Sequence, residues 1–447
     1  MRSLRYFEKE MGNKKILIIT YYWPPSGGVG VQRWLHFTKN LKKEGWDPII
    51  YTPENPQFDI TDDSLQKFTE GIEVIKSSIW EPFGLFHQLT GNKNKNEVKQ
   101  GLVLEKPKKT WKDDLIVWIR GNLFIPDPRM FWVKPSVKFL SGIIKERKIE
   151  TVITTGPPHS MHLIGLGLKK EFPEIKWVAD FRDPWSEWDV LPKLMATKRT
   201  LKQHRSLELK VLKKSDHILT VSNSLLESLK SKFPEGQVSL VTNGISDDKT
   251  KIYEAQTERT SGKFVVGYYG MLNEIRDPET LWGVLEEICE QNEVFNHNLE
   301  IRLGGIVANS ILDRLNKSKW LSGKVVSLGY LNHEQVFDEY QKCDLLLLLL
   351  NKSDNAKWIL PMKFFEYLSA TKPILSLGPE DSDLAKMFEG FSVGEMIDFD
   401  HHSAISQFVL SIFEETYDLN LEHFQRLLKL YSRSNQTKEL IKVLETL

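Results

Sequence analysis

The run Lys15-Ile-Leu-Ile-Ile-Thr-Tyr-Tyr22 and the loop after it, Trp23-Pro-Pro-Ser-Gly-Gly-Val-Gly30, decide the architecture. The run is apolar at consecutive positions, which marks a strand covered on both faces in a parallel sheet. From Val31 to Glu44 apolar residues recur at helical spacing, and Pro48 to Thr52 reads as the next strand. Strand, glycine loop, helix and strand make one βα unit. Gly28 and Gly30 let backbone come close to a ligand. They are not the dinucleotide fingerprint, because Arg33 stands where its third glycine belongs. A tight turn serving no ligand uses the same residue types.

The alternation continues outward from this unit. Further strands are expected at 151–155, 177–180, 217–221 and 238–242. It restarts at 264–269, 299–303, 325–328, 344–350 and 373–377. The expected fold class is therefore α/β, with two doubly wound sheets in succession. Residues 1–14 read as a polar extension, 15–246 as the first domain and 247–263 as a charged linker. Residues 264–420 read as the second domain, and 421–447 as a helical tail.

Bulk composition narrows the classes. At 447 residues the chain exceeds one ordinary core. A hydrophobic share of 40% with 27% charged residues is that of a soluble globular protein. Sixty basic residues balance sixty acidic ones, so total charge points to no nucleic acid. Cys289 and Cys343 alone exclude a disulfide framework and a thiolate zinc site. The first residues hold no apolar core of signal-peptide length, so a cytoplasmic location is expected. One region departs from neutrality: residues 93–148 carry 14 Lys/Arg against 6 Asp/Glu, a net +8. They lie largely within an irregular insertion at about 80–140, where 93–109 reads as a polar loop. Leu115, Trp118 and Ile119 follow at helical spacing. Such a segment either lies on an anionic membrane surface or faces a core with a solvated basic side.

A second stretch, Leu360-Pro-Met-Lys-Phe-Phe-Glu-Tyr-Leu368, suggests chemistry. Pro361 suits the first helical position, and the free N–H groups of a helix start attract phosphate. Lys363 puts a cation in that first turn, where the dipole disfavours one unless an anion is bound. Glu366 could accept from two adjacent hydroxyls, such as those of a ribose. An amphipathic helix with a surface Lys/Glu pair is the plain alternative. Other residues fall at expected strand ends, where open α/β sheets bind ligands. These are Gly156-Pro-Pro-His159-Ser160 and Asp180-Phe-Arg182-Asp183-Pro-Trp185. Asp398-Phe-Asp400 with His401 and His402 matches a short metal-binding pattern, but no metal is expected there.

In order and spacing these segments resemble the GT-B glycosyltransferases, in particular the large retaining group numbered family four, over the chain from about Lys14. The carriers are Gly27 to Gly30, Gly156 to Ser160, Ala179 to Trp185, Val241 to Gly244, Gly270 to Arg276, and Pro361-x-Lys363-x-x-Glu366-Tyr-Leu. The resemblance implies two facing Rossmann-like domains with the active site in their cleft and a C-terminal crossover helix. The donor would sit on the second domain and the acceptor on the first. Glu366 is then the ribose carboxylate, second of the family's paired Glu residues; the first, eight positions earlier, is replaced by Trp358, leaving the sugar open. The family's Arg and Lys after the second glycine loop correspond to Met271 and Arg276. Arg276 keeps charge beside the diphosphate, and Lys363 is expected to compensate for Met271.

The implied catalytic residues are Arg276, Lys363, His159 and Asp183. Nucleotide-sugar contacts fall to Gly28, Gly30, Asn243, Gly270, Gly329, Tyr330, Pro361 and Glu366. Asp180, Arg182 and Trp185 are the implied acceptor contacts. The implied reaction is sugar transfer with retention to a glycan or lipid-linked acceptor, in cell-surface polysaccharide or lipopolysaccharide-type biosynthesis. It needs no cofactor beyond the nucleotide-diphosphate sugar and no protein nucleophile. A nucleotide-sugar epimerase of the same architecture, or a non-catalytic nucleotide-sugar-binding protein, are the other readings.

Overall fold

The computed structural model describes residues 14–58, 61–82, 111–247, 262–331, 333–353 and 355–447. They form two units: Met1–Thr242 with Thr437–Leu447, and Asn243–Gln436. The expected linker lies mostly outside the described residues, as does the polar loop at 93–109.

Within the described residues unit 1 carries seven strands: β1 Lys15–Ile19, β2 Asp47–Pro53, β3 Glu73–Ser77, β4 Thr151–Gly156, β5 Lys176–Phe181, β6 His217–Thr220 and β7 Val238–Leu240. Their order is β3-β2-β1-β4-β5-β6-β7, and every pairing is parallel. Central β1 sets Leu17 opposite both Ile49 and Val152. Alternate side chains of a strand point to opposite faces, and here both sets are apolar. Ile16 and Ile18 pack with Val31, Trp34 and Leu35 of the helix Val29–Lys43. Leu17 and Ile19 pack on the other face with Trp132, Leu140 and Ile164. Leu440, Val443 and Leu444, near the chain's end, join the first of these clusters.

Unit 2 carries β8 Phe264–Leu272, β9 Leu299–Val307, β10 Val325–Gly329, β11 Leu345–Leu349, β12 Ile374–Leu377 and β13 Gly394–Ile397. Their order is β10-β9-β8-β11-β12-β13, again parallel throughout. The leucine run of β11 is buried on both faces: Leu345 and Leu347 in one cluster, Leu346 and Leu348 in the other.

The structure differs from the sequence reading at four places. The edge strands β3 and β13 are short and only partly apolar, so no periodic signal marks them. β8 and β9 run beyond the expected ends because Gly270 pairs with Gly305 inside the ladder. The tail is two helices, not one: Leu421–Leu430 packs Phe424, Leu427 and Leu428 into unit 2, and Thr437 onward belongs to unit 1. Unit 1 also gives way to unit 2 at Thr242, ahead of the expected boundary at 246. Among the described residues no helix is long and apolar enough to cross a membrane.

Candidate functional site

In each sheet the strand order reverses once, between β1 and β4 in unit 1 and between β8 and β11 in unit 2. At such a switch point the loops leave in opposite directions and open a crevice beyond the carboxyl ends of the strands. Chemistry-bearing residues gather at both points.

In unit 2, β8 leads through Asn273 into a short turn of helix, Glu274–Arg276. The Arg276 guanidinium donates through Nε to Asn351 Oδ1 at 2.6 Å and through a terminal nitrogen to the Met271 carbonyl at 3.4 Å. Asn351 lies just past the carboxyl end of β11, so this bond joins the two loops of the switch point. The backbone repeats the link, Lys352 N–H donating to the Ile275 carbonyl at 2.7 Å. Into the same place comes the helix Met362–Ala370, with Pro361 as its N-cap rather than its first residue. It has no side-chain cap and no acidic residue in its first turn. Lys363 Nζ sits against Gly270 so closely that a Cβ there would lie 2.4 Å away. Gly270 also has φ +150°, a backbone conformation that favours glycine, and any Cβ there would displace the lysine tip. The ammonium lies 5.7 Å from the centre of the Tyr268 ring.

The alternative of a surface Lys/Glu pair is not what forms: among the described residues Glu366 does not pair with Lys363. Glu366 instead accepts from the Tyr340 hydroxyl at 3.1 Å. Gly329 ends β10 with φ +64°, and the next residue, Tyr330, is 71% exposed. Asn243 and Gly244 follow β7, with Gly244 tight against the Tyr431 carbonyl.

In unit 1 the helix Ser160–Glu171 starts at the carboxyl end of β4. Its start is already filled by an anion of the chain itself. Asp127 accepts from Ser160 N–H at 2.9 Å and from the Ser160 hydroxyl at 2.8 Å. His159, just before it, is buried and stacks face to face on Trp185, with centroids 4.9 Å apart. Neither of its ring nitrogens has a partner within hydrogen-bond geometry, although the Pro184 carbonyl is near. Burial first, then the neighbouring His162, His204 and Arg182, hold its pKa well below the usual histidine range. His162 stacks on Phe181 at 4.5 Å and shares Thr154 Oγ1 at 2.9 Å, and burial pushes its pKa down to about 3. Gly156 leaves room for both rings: a Cβ there would lie 2.6 Å from His162 Nε2 and 3.1 Å from His159 Nδ1.

Three expected acceptor contacts are engaged by partners within unit 1. Asp180 is 0% exposed. It is held by Arg33 at 2.9 and 3.1 Å, Trp34 Nε1 at 2.7 Å and the Thr155 hydroxyl at 2.8 Å. The Arg182 guanidinium donates to the carbonyls of Gly30 at 2.8 Å, Gly156 at 3.2 Å and Pro157. Trp185 is buried, its Nε1 donating to His204 Nδ1 at 3.1 Å. These three hold the glycine loop, the Gly156 loop and the Phe181 loop together. Asp183 remains half-buried, its carboxyl pushed up by burial. Gly28 takes φ +79° at the N-cap of Val29–Lys43, and Gly30 lies against the Tyr22 ring.

Sequence reasoning missed Asn351, Tyr340 and Asp127. Asn351 had a legible signal, as the first polar residue after the six-leucine run. Among the described residues no group of three or more His, Cys, Asp or Glu is placed to hold a metal ion. Asp398 accepts from Asp400 N–H at 3.0 Å, and His402 pairs with Glu287 at 3.0 Å.

No protein-family model matches the chain, and no curated protein matches it in sequence. Solved structures do. Sucrose-phosphate synthase from Thermosynechococcus elongatus is similar with TM-score 0.62 at 13% identity, over 97% of this chain and 98% of that one. The lipopolysaccharide outer core galactosyltransferase WaaB gives 0.61 at 13%, over 97% and 100%. Anabaena HepE in complex with UDP-glucose gives 0.60 at 12%, over 97% and 100%. At these identities the likeness shows the fold: two parallel-sheet, Rossmann-like α/β units, as in GT-B glycosyltransferases.

Proposed function

We propose that the chain is a glycosyltransferase that moves a sugar from a nucleotide-diphosphate sugar to a glycan or lipid-linked acceptor. The observation carrying this reading is the convergence in unit 2 of Arg276, Lys363 and an acid-free helix start at one switch point, with Glu366 a turn further along that helix. Cleaving a sugar–phosphate bond builds charge on the departing diphosphate, and preorganised cations and N–H groups stabilise that charge. Arg276 is held by Asn351, so little reorganisation accompanies the reaction. Glu366 would take the ribose hydroxyls, and exposed Tyr330 would offer a face to the base. With charge supplied by side chains, turnover should survive a chelator.

In unit 1, His159 is proposed to meet a sugar or acceptor hydroxyl. A neutral imidazole offers one donor and one acceptor, and two buried nitrogens without partners are costly until something fills them. Asp183 is proposed to orient the acceptor. Retention would follow from attack on the face the diphosphate leaves, with its oxygen taking the acceptor's proton. A protein solved in complex with UDP-glucose and a lipopolysaccharide galactosyltransferase share the fold.

A peripheral contact at the cytoplasmic face of an anionic membrane is proposed through the region around Trp111–Leu123. Trp118 there is 38% exposed, and Leu115 and Leu123 are also exposed. Trp80, 55% exposed, meets Phe131 edge to face at 4.8 Å, and Lys134 and Lys138 stand exposed beside Phe131 and Phe139.

Incubation with a panel of UDP- and GDP-sugars, following nucleotide release, tests the activity. Release that requires a glycan or lipid acceptor is expected. An altered sugar without transfer would mark an epimerase, and binding without turnover a non-catalytic protein.

A further inference from the structure

We propose that Tyr340 is a positioning residue for nucleotide recognition, its hydroxyl setting the Glu366 carboxylate in the orientation that meets a ribose diol. This rests on the reading of Glu366 given above. Tyr340 is 1% exposed, and its hydroxyl donates to Glu366 Oε2 at 3.1 Å. The ring that carries the hydroxyl is clamped by three others, with centroids at 5.2 Å for Tyr269, 4.9 Å for Tyr367 and 5.3 Å for Phe337. Two of those are tied down in turn. Tyr367 donates to the Leu347 carbonyl of β11 at 3.1 Å, and Tyr269, within β8, donates to the Glu339 carbonyl at 3.2 Å. The strands flanking the switch point thus fix where the Tyr340 hydroxyl lies.

The choice of partner separates positioning from plain satisfaction. Tyr269 and Tyr367 satisfy their hydroxyls on backbone carbonyls, as buried phenols ordinarily do. Tyr340 instead reaches a half-buried carboxylate on the neighbouring helix, the one on which Lys363 stands. A free glutamate samples several rotamers and must lose them to bind. A carboxylate offers about four acceptor sites, and Tyr340 takes one while leaving the others for two ligand hydroxyls. Burial holds the Tyr340 phenol protonated well above its ordinary range, so it stays a donor at every working pH. Fixing the acceptor before the ligand arrives is preorganisation, read out as affinity for the diol alone.

The test uses the full chain and calorimetric titration with UDP and GDP against their 2′,3′-dideoxy forms. The wild-type chain should prefer the ribose form by about tenfold or more, the value of a hydrogen bond to a charged group. Glu366→Gln should remove most of that preference. Tyr340→Phe, which keeps the ring packing, should remove most of it too while binding the dideoxy form as wild type does. Phe337→Leu loosens one ring of the clamp but keeps the hydroxyl bond, and should reduce the preference by less than Tyr340→Phe does. If Tyr340→Phe retains the full preference, or weakens both nucleotides equally, the positioning role is overturned even where Glu366→Gln behaves as expected. If the wild-type chain shows no ribose preference, or Glu366→Gln keeps it, the reading of Glu366 itself falls and the role of Tyr340 with it.

Discussion

Lys363 occupies a first helical turn, where the dipole disfavours a cation by about 0.3–1 kcal/mol. An anion bound between it and Arg276 reverses the sign. Removing one such donor from a transition-state site typically costs ~10²–10³ in rate. Arg276→Ala should therefore lower turnover by about that factor while leaving thermal unfolding near wild type. Asp180 makes the opposite prediction. It is a buried anion paired with Arg33, and removing one partner of such a pair costs about 3–5 kcal/mol. Asp180→Ala should lower the denaturant midpoint sharply; a midpoint within error of wild type would refute its structural role. The contrast shows what was legible at this scale. Arg276, Lys363 and Glu366 stand beside turn glycines and a proline, which mark element ends in one dimension. Asp180, Arg182 and Trp185 have the same composition as a ligand loop, and only the third dimension shows Arg33 and three backbone carbonyls engaging two of them. Tyr340 lies 26 positions from Glu366 in sequence, so nothing local announces the pair.

Among the elements, the Gly156 loop and the helix after it carry a pH dependence. His162 is buried and neutral, with its pKa down at about 3 chiefly through burial; the nearby Asp180 pulls the other way and Arg182 adds to the lowering. The unfolded chain binds a proton near the ordinary histidine value of 6.5, whereas the folded one does not. Stability is therefore full above that pH and falls as pH drops from about 6.5 toward 3, by up to about 1.4 kcal/mol per pH unit for each such histidine. His159, lowered for the same first reason, adds in the same direction. Urea midpoints between pH 7.5 and 5 should fall in wild type and fall less in His162→Gln; parallel curves would exclude the account. The region around Trp111–Leu123 makes a second prediction. Wild type should sediment with phosphatidylglycerol vesicles and release them at high salt, and Trp118→Ser with Phe131→Ser should abolish that. Binding that persists in the double variant would contradict the surface contact. The helical spacing of Leu115 and Trp118 was plain in the sequence, but which way that face points depends on tertiary packing.

For the whole molecule, the βα alternation and its restart were legible because β1 and β11 are continuous apolar runs between turn residues. β3 and β13 were not, since each offers only two adjacent apolar residues beside charged ones. The division of the tail at Gln436 was also hidden, because both of its helices read as amphipathic. Fold alone does not assign function, so the central claim rests on the unit 2 cluster. Calorimetric titration of the intact chain with UDP, GDP, ADP and TDP tests it most directly. The account predicts saturable binding of at least one of them at a single site, weakened about tenfold or more by Lys363→Ala and again by Arg276→Ala. No binding of any of the four, or binding that both variants leave unchanged, would contradict it.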